Sequence, residues 1–334
     1  MKKECFVLKN KNGLELRFTN YGGIVTHLYT PDRDGQLTDI VLGFDDLDQY
    51  ESDHPYFGAI VGRYGNRIAQ GTFKIDNKQY LLAKNNGPNN LHGGVEGFHR
   101  KYWHVEELEG ENGYRLSYLS PDGEEGFPGN LSVTVDYILT DDNRWIINYN
   151  ATTDQKTVFN PTNHSYFNLN GADSGDILSH EIEIVSEVYT PVDEHMIPIG
   201  TFQSVKDTPF DFRLKKRIGK DINKDSTELK IANGYDHNFA FKVDHLVKRV
   251  AEVSSPRTGR RMTVYTDQPG MQFYCGNWLG GIVGKGNTTY ENHHGFCLET
   301  QHYPDSPNQP DFPSTLLVPG EVYESKTIYE FGTL

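Results

Sequence analysis

Between residues 131 and 153 the chain reads as two strands joined by a turn. In LSVTVDYIL, Leu131, Val133, Val135, Tyr137 and Leu139 alternate with Ser132, Thr134, Asp136 and Ile138. A period of two sends one set of side chains to a buried face and leaves the other face largely polar. Asp141, Asp142 and Asn143 supply the turn, and RWIINYNATT at 144–153 returns. LELRF follows the turn-prone KNG at 11–13, and GTFKIDNKQYLLA turns near Asp76–Asn77, so each reads as a hairpin. HEIEIVSEVYTP, AEVSSP, RMTVYTD, MQFYCGNWL, GFCLETQ and TLLVPGEVYESKTIYEF continue the pattern.

Helical signals are few. LDQYES and the Lys/Asp-rich stretch 215–229 have room for a turn or two each, and nothing sustains a 3.6-residue period over a dozen positions. Many strands with frequent turns imply an all-β sandwich or barrel. Strand signals run from end to end with no Gly-, Ser- or Pro-rich linker, so one domain over 1–334 is expected. PDSPNQPDFP at 304–313 has a proline every third residue; it is expected to be an extended loop with little regular hydrogen bonding, covering a site.

Composition narrows the function classes. A net charge of −14 argues against a nucleic-acid or membrane-surface role. No apolar run approaches the roughly 20 residues of a membrane helix, and MKKECFVLKN lacks the apolar segment of a secretory signal. Cys5, Cys275 and Cys297 are too few and too scattered for a disulfide framework or a zinc motif, so packed thiols in a reducing cytoplasm are expected. The adjacent His293 and His294 point oppositely in a strand, and no metal site is expected. No phosphate loop, dinucleotide fingerprint or nucleophile elbow is present, so no cofactor is expected.

Five segments are dense in chemistry-bearing groups. GRYGNRIAQG at 62–71 carries Asn66 and Arg67, the latter a planar fork of donors suited to sugar hydroxyls or a carboxylate. NNGPNNLHGG at 85–94 sets His92 in a permissive loop, and YDHNFAF at 235–241 opens a strand with Asp236 and His237. In NPTNHSYFNL at 160–169, His164 lies among amides and hydroxyls beside Tyr166 and Phe167, a mixture suited to the apolar face and hydroxyl edge of a pyranose. In GFCLETQHYPDSP at 295–307, Glu299 ends an apolar strand and shares a face with Cys297. A carboxylate there must be paired or hydrogen-bonded, which suits a structural ion pair and a general base equally.

Taken together and in order, NYGGIV, GNRI, LHGG, NPTNHSYFNL, YDHNF and LETQHYPDSPNQPDFPST resemble the aldose 1-epimerases, over almost the whole chain. The resemblance implies a large antiparallel β-sandwich with a sugar cleft. It implies His164 as general acid and Glu299 as general base, with Asn66, Arg67, His92, Asp236 and Gln272 binding sugar hydroxyls or orienting the pair. Tyr166 is expected to contact the sugar.

Anomer exchange then needs a base at the C1 hydroxyl and an acid at the ring oxygen, with neither metal nor cofactor. For His164 to donate at neutral pH, its pKa is expected to be held up by Glu299 or Asp236. The ligand is expected to be a monosaccharide, and the protein a cytoplasmic monomer or homodimer. Two rivals use the same residues. One is a non-catalytic sugar-binding module. The other is a glycosidase, with Asp236 and Glu299 as its carboxyl pair.

Overall fold

The computed structural model describes residues 2–334. Among the described residues every strand pairing is antiparallel, and the one parallel contact is an isolated bridge between Tyr64 and Asn160. The largest sheet has nine strands. Its centre is Gly113–Ser120, Leu131–Leu139, Arg144–Thr153, Tyr323–Thr333, Arg260–Thr266 and Lys248–Ser254, in that order. The expected hairpin is there: Val133 faces Ala151, Val135 faces Tyr149 and Tyr137 faces Ile147. Asn143 closes its turn in the left-handed region (φ 65°), which asparagine tolerates better than most residues. Asp76 and Asn77 both take positive φ between Thr72–Ile75 and Lys78–Leu81, as a two-residue hairpin turn requires.

A second sheet of five strands carries the chemistry. Its order is Gln203–Ser204, Val188–Tyr189, Asp236–Ala240, Gly270–Tyr274, Cys297–Gln301. Asn238 sits opposite Gln272, and Gln272 opposite Glu299. One face of the three central strands therefore presents Asp236, Asn238, Gln272, Tyr274, Cys297, Glu299 and Gln301. The other presents His237, Phe239, Met271, Phe273 and Leu298.

The four apolar side chains of that second face join the cluster that also holds Val133, Tyr137, Trp145, Ile147 and Tyr329 of the large sheet. The Tyr329 hydroxyl donates to Leu298 O at 2.9 Å across the junction. Two sheets packed through one apolar layer make the expected sandwich. Trp145 is wholly buried in that layer, and truncating it to alanine would cost about 3–5 kcal/mol.

Helix is as scarce as expected: among the described residues there is one six-residue α-helix, Thr227–Ala232, and short 3-10 turns that include Leu47–Glu51. The proline-rich segment departs from expectation. It is neither extended nor poor in hydrogen bonds. Asp305 N–H donates to Arg67 O at 2.8 Å. The Asp305 carboxylate accepts from Ala69 N–H and from the Asn308 and Gln309 amides at 2.7–2.9 Å. A single buried carboxylate folds the prolines into a 3-10 turn, Ser306–Asn308, that braces the Arg67 strand from behind; none of residues 304–313 lines the cleft described next.

Candidate active site

His164 owes its position to its neighbours' amides. Asn160 donates to Gly65 O and His302 O, Asn163 to Gly58 O, and Asn168 to Gly175 O and His294 O. These side chains clasp backbone, so the polar cluster read as a sugar surface is mostly a scaffold, and Phe167 belongs to the core. The His164 backbone is itself held on both sides, its N–H by Ala59 O at 2.9 Å and its C=O by Gly58 N–H at 3.0 Å. The imidazole is left to face a cleft of about 180 Å³. That volume suits one small polar ligand.

Glu299 reaches the cleft from the polar face of the five-stranded sheet. Its Oε1 lies 3.6 Å from His164 Nε2, and both side chains are almost fully buried. Glu299 Oε2 is buried without a hydrogen-bond partner. A buried carboxylate oxygen with nothing to accept is costly unless a ligand completes it.

Asn66 and His92 form a clasp. Asn66 N–H donates to His92 Nδ1 at 3.1 Å, and His92 N–H donates to Asn66 O at 3.0 Å. With Nδ1 accepting, the neutral ring carries its proton on Nε2 and presents a donor to the cleft. Gly93, next in the chain, has φ 83°, and a Cβ there would sit 2.0 Å from Gly62 O, so the loop bearing His92 closes only on glycine. Arg67 donates to Asn86 Oδ1 at 3.1 Å and lies 3.7 Å from Asp236 Oδ2.

Asp236 Oδ1 accepts the Gln272 amide at 2.7 Å. Gln272 thus stands behind Asp236 and is not part of the cleft wall, whereas Asn66, Arg67, His92, His164, Tyr166, Asp236 and Glu299 all are. Asp236 is thus held between Gln272 and Arg67.

Several wall residues were not singled out from the sequence: Tyr56, Asn86, Tyr274 and Trp278. Asn86 lies inside an already noted segment, but the other three had no local polar signature. Trp278 is 65 % exposed at the rim.

The electrostatics correct one expectation. Burial pushes His164 down to about 3, and no carboxylate holds it up. Burial, reinforced by the Asp236 charge and opposed by Arg67, pushes Glu299 well above the usual carboxylate range. Burial, with His164, Arg67 and His99 adding to it, keeps His92 neutral. Both shifts favour the proton on Glu299 over His164, because a neutral pair is cheaper to bury than an ion pair.

His92, His164 and Glu299 bring one ligand atom each to within 4.8 Å of one another, the one such trio among the described residues. The donor chemistry does not suit a cation. The Asn66 N–H occupies His92 Nδ1 and leaves Nε2 protonated, whereas a metal needs a bare ring nitrogen. Arg67 is the one Lys or Arg side chain in the wall. No helix among the described residues is long and apolar enough to cross a membrane.

Known proteins are similar to this chain over nearly its whole length. A family model described as aldose 1-epimerase matches residues 4–330. Galactose mutarotase of Bos taurus is 48 % identical over 320 residues, covering 96 % of this chain and 91 % of that one. Aldose 1-epimerase of Escherichia coli (strain K12) is 39 % identical over 327 residues, covering 97 % and 94 %. The crystal structure of an aldose epimerase homologue from C. elegans superposes with a TM-score of 0.92 at 31 % identity, each chain covered in full. With its fold and nearly its whole length in common with these proteins, this chain belongs to the aldose 1-epimerase family.

Proposed function

We propose that this protein is an isomerase that interconverts the α and β anomers of free hexoses such as D-galactose and D-glucose. The observation that carries the reading is an imidazole and a carboxyl group 3.6 Å apart in a small cleft, with one carboxyl oxygen unpartnered. The relatives named galactose mutarotase and aldose 1-epimerase support it. The protein is read as a single cytoplasmic domain, monomeric or homodimeric, that binds the monosaccharide without a cofactor.

His164 and Glu299 act as acid and base. Sugar hydroxyls bound at Glu299 stabilise its charged form, and its proton passes to His164 Nε2; the resulting carboxylate takes the C1 hydroxyl proton while the imidazolium gives its Nε2 proton to the ring oxygen. The C1–O5 bond breaks and an open-chain aldehyde forms. Rotation about C1–C2 presents the other carbonyl face. The C5 hydroxyl then adds to C1, returning its proton to His164, and Glu299 protonates the new C1 oxygen. His92 Nε2–H, Asn66, Arg67 and Asp236 hold the remaining hydroxyls, Tyr166 contacts the sugar, and Gln272 orients Asp236.

The open-chain stage leaves a neutral imidazole beside a protonated carboxyl. That is the distribution favoured by burial. The site is therefore electrostatically matched to the intermediate, and an interaction that favours the later stage of a step lowers its barrier. Positioned proton transfer contributes about 10²–10⁴-fold.

Polarimetry on freshly dissolved α-D-galactose and α-D-glucose, at neutral pH with EDTA, tests the reading. A faster approach to an unchanged final rotation is expected. Folded protein that accelerates neither sugar would overturn it.

A further inference from the structure

His164 is bracketed by one strand. Glu299 Oε1 lies at its Nε2, and Cys297 Sγ lies 3.5 Å from its Nδ1. Residues i and i+2 of a strand share a face about 6.6–6.8 Å apart, enough to grip the two nitrogens of an imidazole from its two sides. Cys297 pairs with Tyr274 and Glu299 with Gln272, so the register of the sheet holds both grips.

We infer that Cys297 is a positioning residue that sets the tautomer of His164: its sulfur accepts the Nδ1–H, leaving Nε2 as the nitrogen that loses and regains a proton at the sugar. The inference rests on the acid role proposed for His164. When the imidazolium gives its Nε2 proton to the ring oxygen, the neutral ring that remains must keep its proton on Nδ1. That proton needs a buried acceptor. No other side-chain hydrogen bond to Nδ1 is formed among the described residues, and the one further acceptor acting on the ring is the His164 backbone itself.

The element matters. A carboxylate at Nδ1 would hold the imidazolium and weaken it as an acid. A neutral thiol is a weak acceptor that orients the ring and adds no charge. Burial, with nearby Glu299 and Cys275, pushes the Cys297 thiol well up, which keeps it uncharged.

The titratable groups facing His164 from the other elements are Glu299, His92, Tyr56, Tyr166 and Tyr274, with His54 acting from further off. Asp236 and Arg67 act on Glu299 across the cleft. None of these touches Nδ1, so a change at Cys297 reads out on that nitrogen.

Long-range ¹H–¹⁵N NMR of the imidazole tests this without reference to turnover. In the wild-type protein at neutral pH, His164 is expected to be neutral with its proton on Nδ1. Cys297→Ser, with a stronger acceptor, is expected to raise the His164 titration midpoint above that of wild type. Cys297→Ala is expected to lower it. With α-D-galactose, Cys297→Ala should reduce kcat about fivefold, the worth of one modest hydrogen bond, with KM changed less than twofold, and Cys297→Ser should restore most of the loss.

A wild-type ring protonated on Nε2, or one midpoint common to all three proteins, would overturn the inference. If the variants fail to fold, the wild-type tautomer alone decides it. Absence of any wild-type mutarotation would instead count against the proposed function, and the NMR result would still stand or fall independently.

Discussion

The five-stranded sheet carries a histidine–glutamate pair on each of its faces, and the two pairs have different fates. His164 and Glu299 meet at 3.6 Å on the polar face and line the cleft. His237 and Glu228 approach to 3.2 Å on the apolar face, where Glu228 comes from the short helix Thr227–Ala232. His237 is wholly buried against Phe210 and Tyr189, with ring centroids 4.5 and 6.0 Å away. Its Nδ1 accepts the Asp236 N–H, and the Tyr189 hydroxyl donates to Glu228. Residue types and spacing are alike. Each pair also leaves a carboxyl oxygen, Glu299 Oε2 or Glu228 Oε2, without a hydrogen-bond partner. The difference is room: His164 and Glu299 line a cleft with space for a ligand, while His237 is packed against aromatic rings. Chemistry requires access, and proximity of an acid and a base confers none.

The largest expected contrast is in turnover. Glu299→Gln or His164→Asn should each lower kcat about 10²–10⁴-fold by polarimetry, with folding intact. Glu228→Gln should leave it within about threefold. An equal loss in Glu228→Gln would erase the distinction between the pairs.

Stability should show the reverse order. His237→Leu strips the Asp236 N–H of its acceptor and strands a carboxylate, and should cost about 3 kcal/mol in urea unfolding. His164→Asn should cost under about 1 kcal/mol, because the cleft already tolerates unpartnered groups.

The pH dependence of stability sharpens the comparison further. The folded pKa of Glu299 is raised, so the unfolded carboxyl, near pH 4.3, ionises first and stability falls as pH rises from there toward the folded value. Glu299→Gln is free of that penalty. Its stability gain over wild type should be smallest below about pH 4.3 and grow above it. A gain that stays flat from pH 4 to 8 would mean that burial does not hold the proton on Glu299.

His164 works in the opposite sense. Its folded value is depressed to about 3, so its contribution is lost as pH falls below about 6.5, and His164→Asn should flatten that loss. The smallest effect is expected at the rim. Trp278→Ala should raise KM about threefold with kcat unchanged, as an exposed aromatic face contributes binding and no proton transfer.

Much of this molecule follows from short stretches of sequence. Alternation with period two decided which residues of 131–139 and 144–153 face inward, because side-chain direction in a strand is a local property. Asp76, Asn77 and Asn143 marked their turns because left-handed backbone favours those side chains. The motifs around His92, His164 and Glu299 brought the right segments together on paper, and the cleft contains all three.

Tertiary structure decided the rest. Whether Gln272 faces a ligand or Asp236, whether 304–313 covers the cleft or braces Arg67, and whether His164 or His237 meets open space depend on contacts between distant segments. Asp305 and Ala69, for instance, are separated by 236 positions. The preference for a proton on Glu299 over His164 was equally beyond the sequence. It is decided by burial, and burial is a property of the assembled fold, in which removing both groups from water outweighs their attraction for each other.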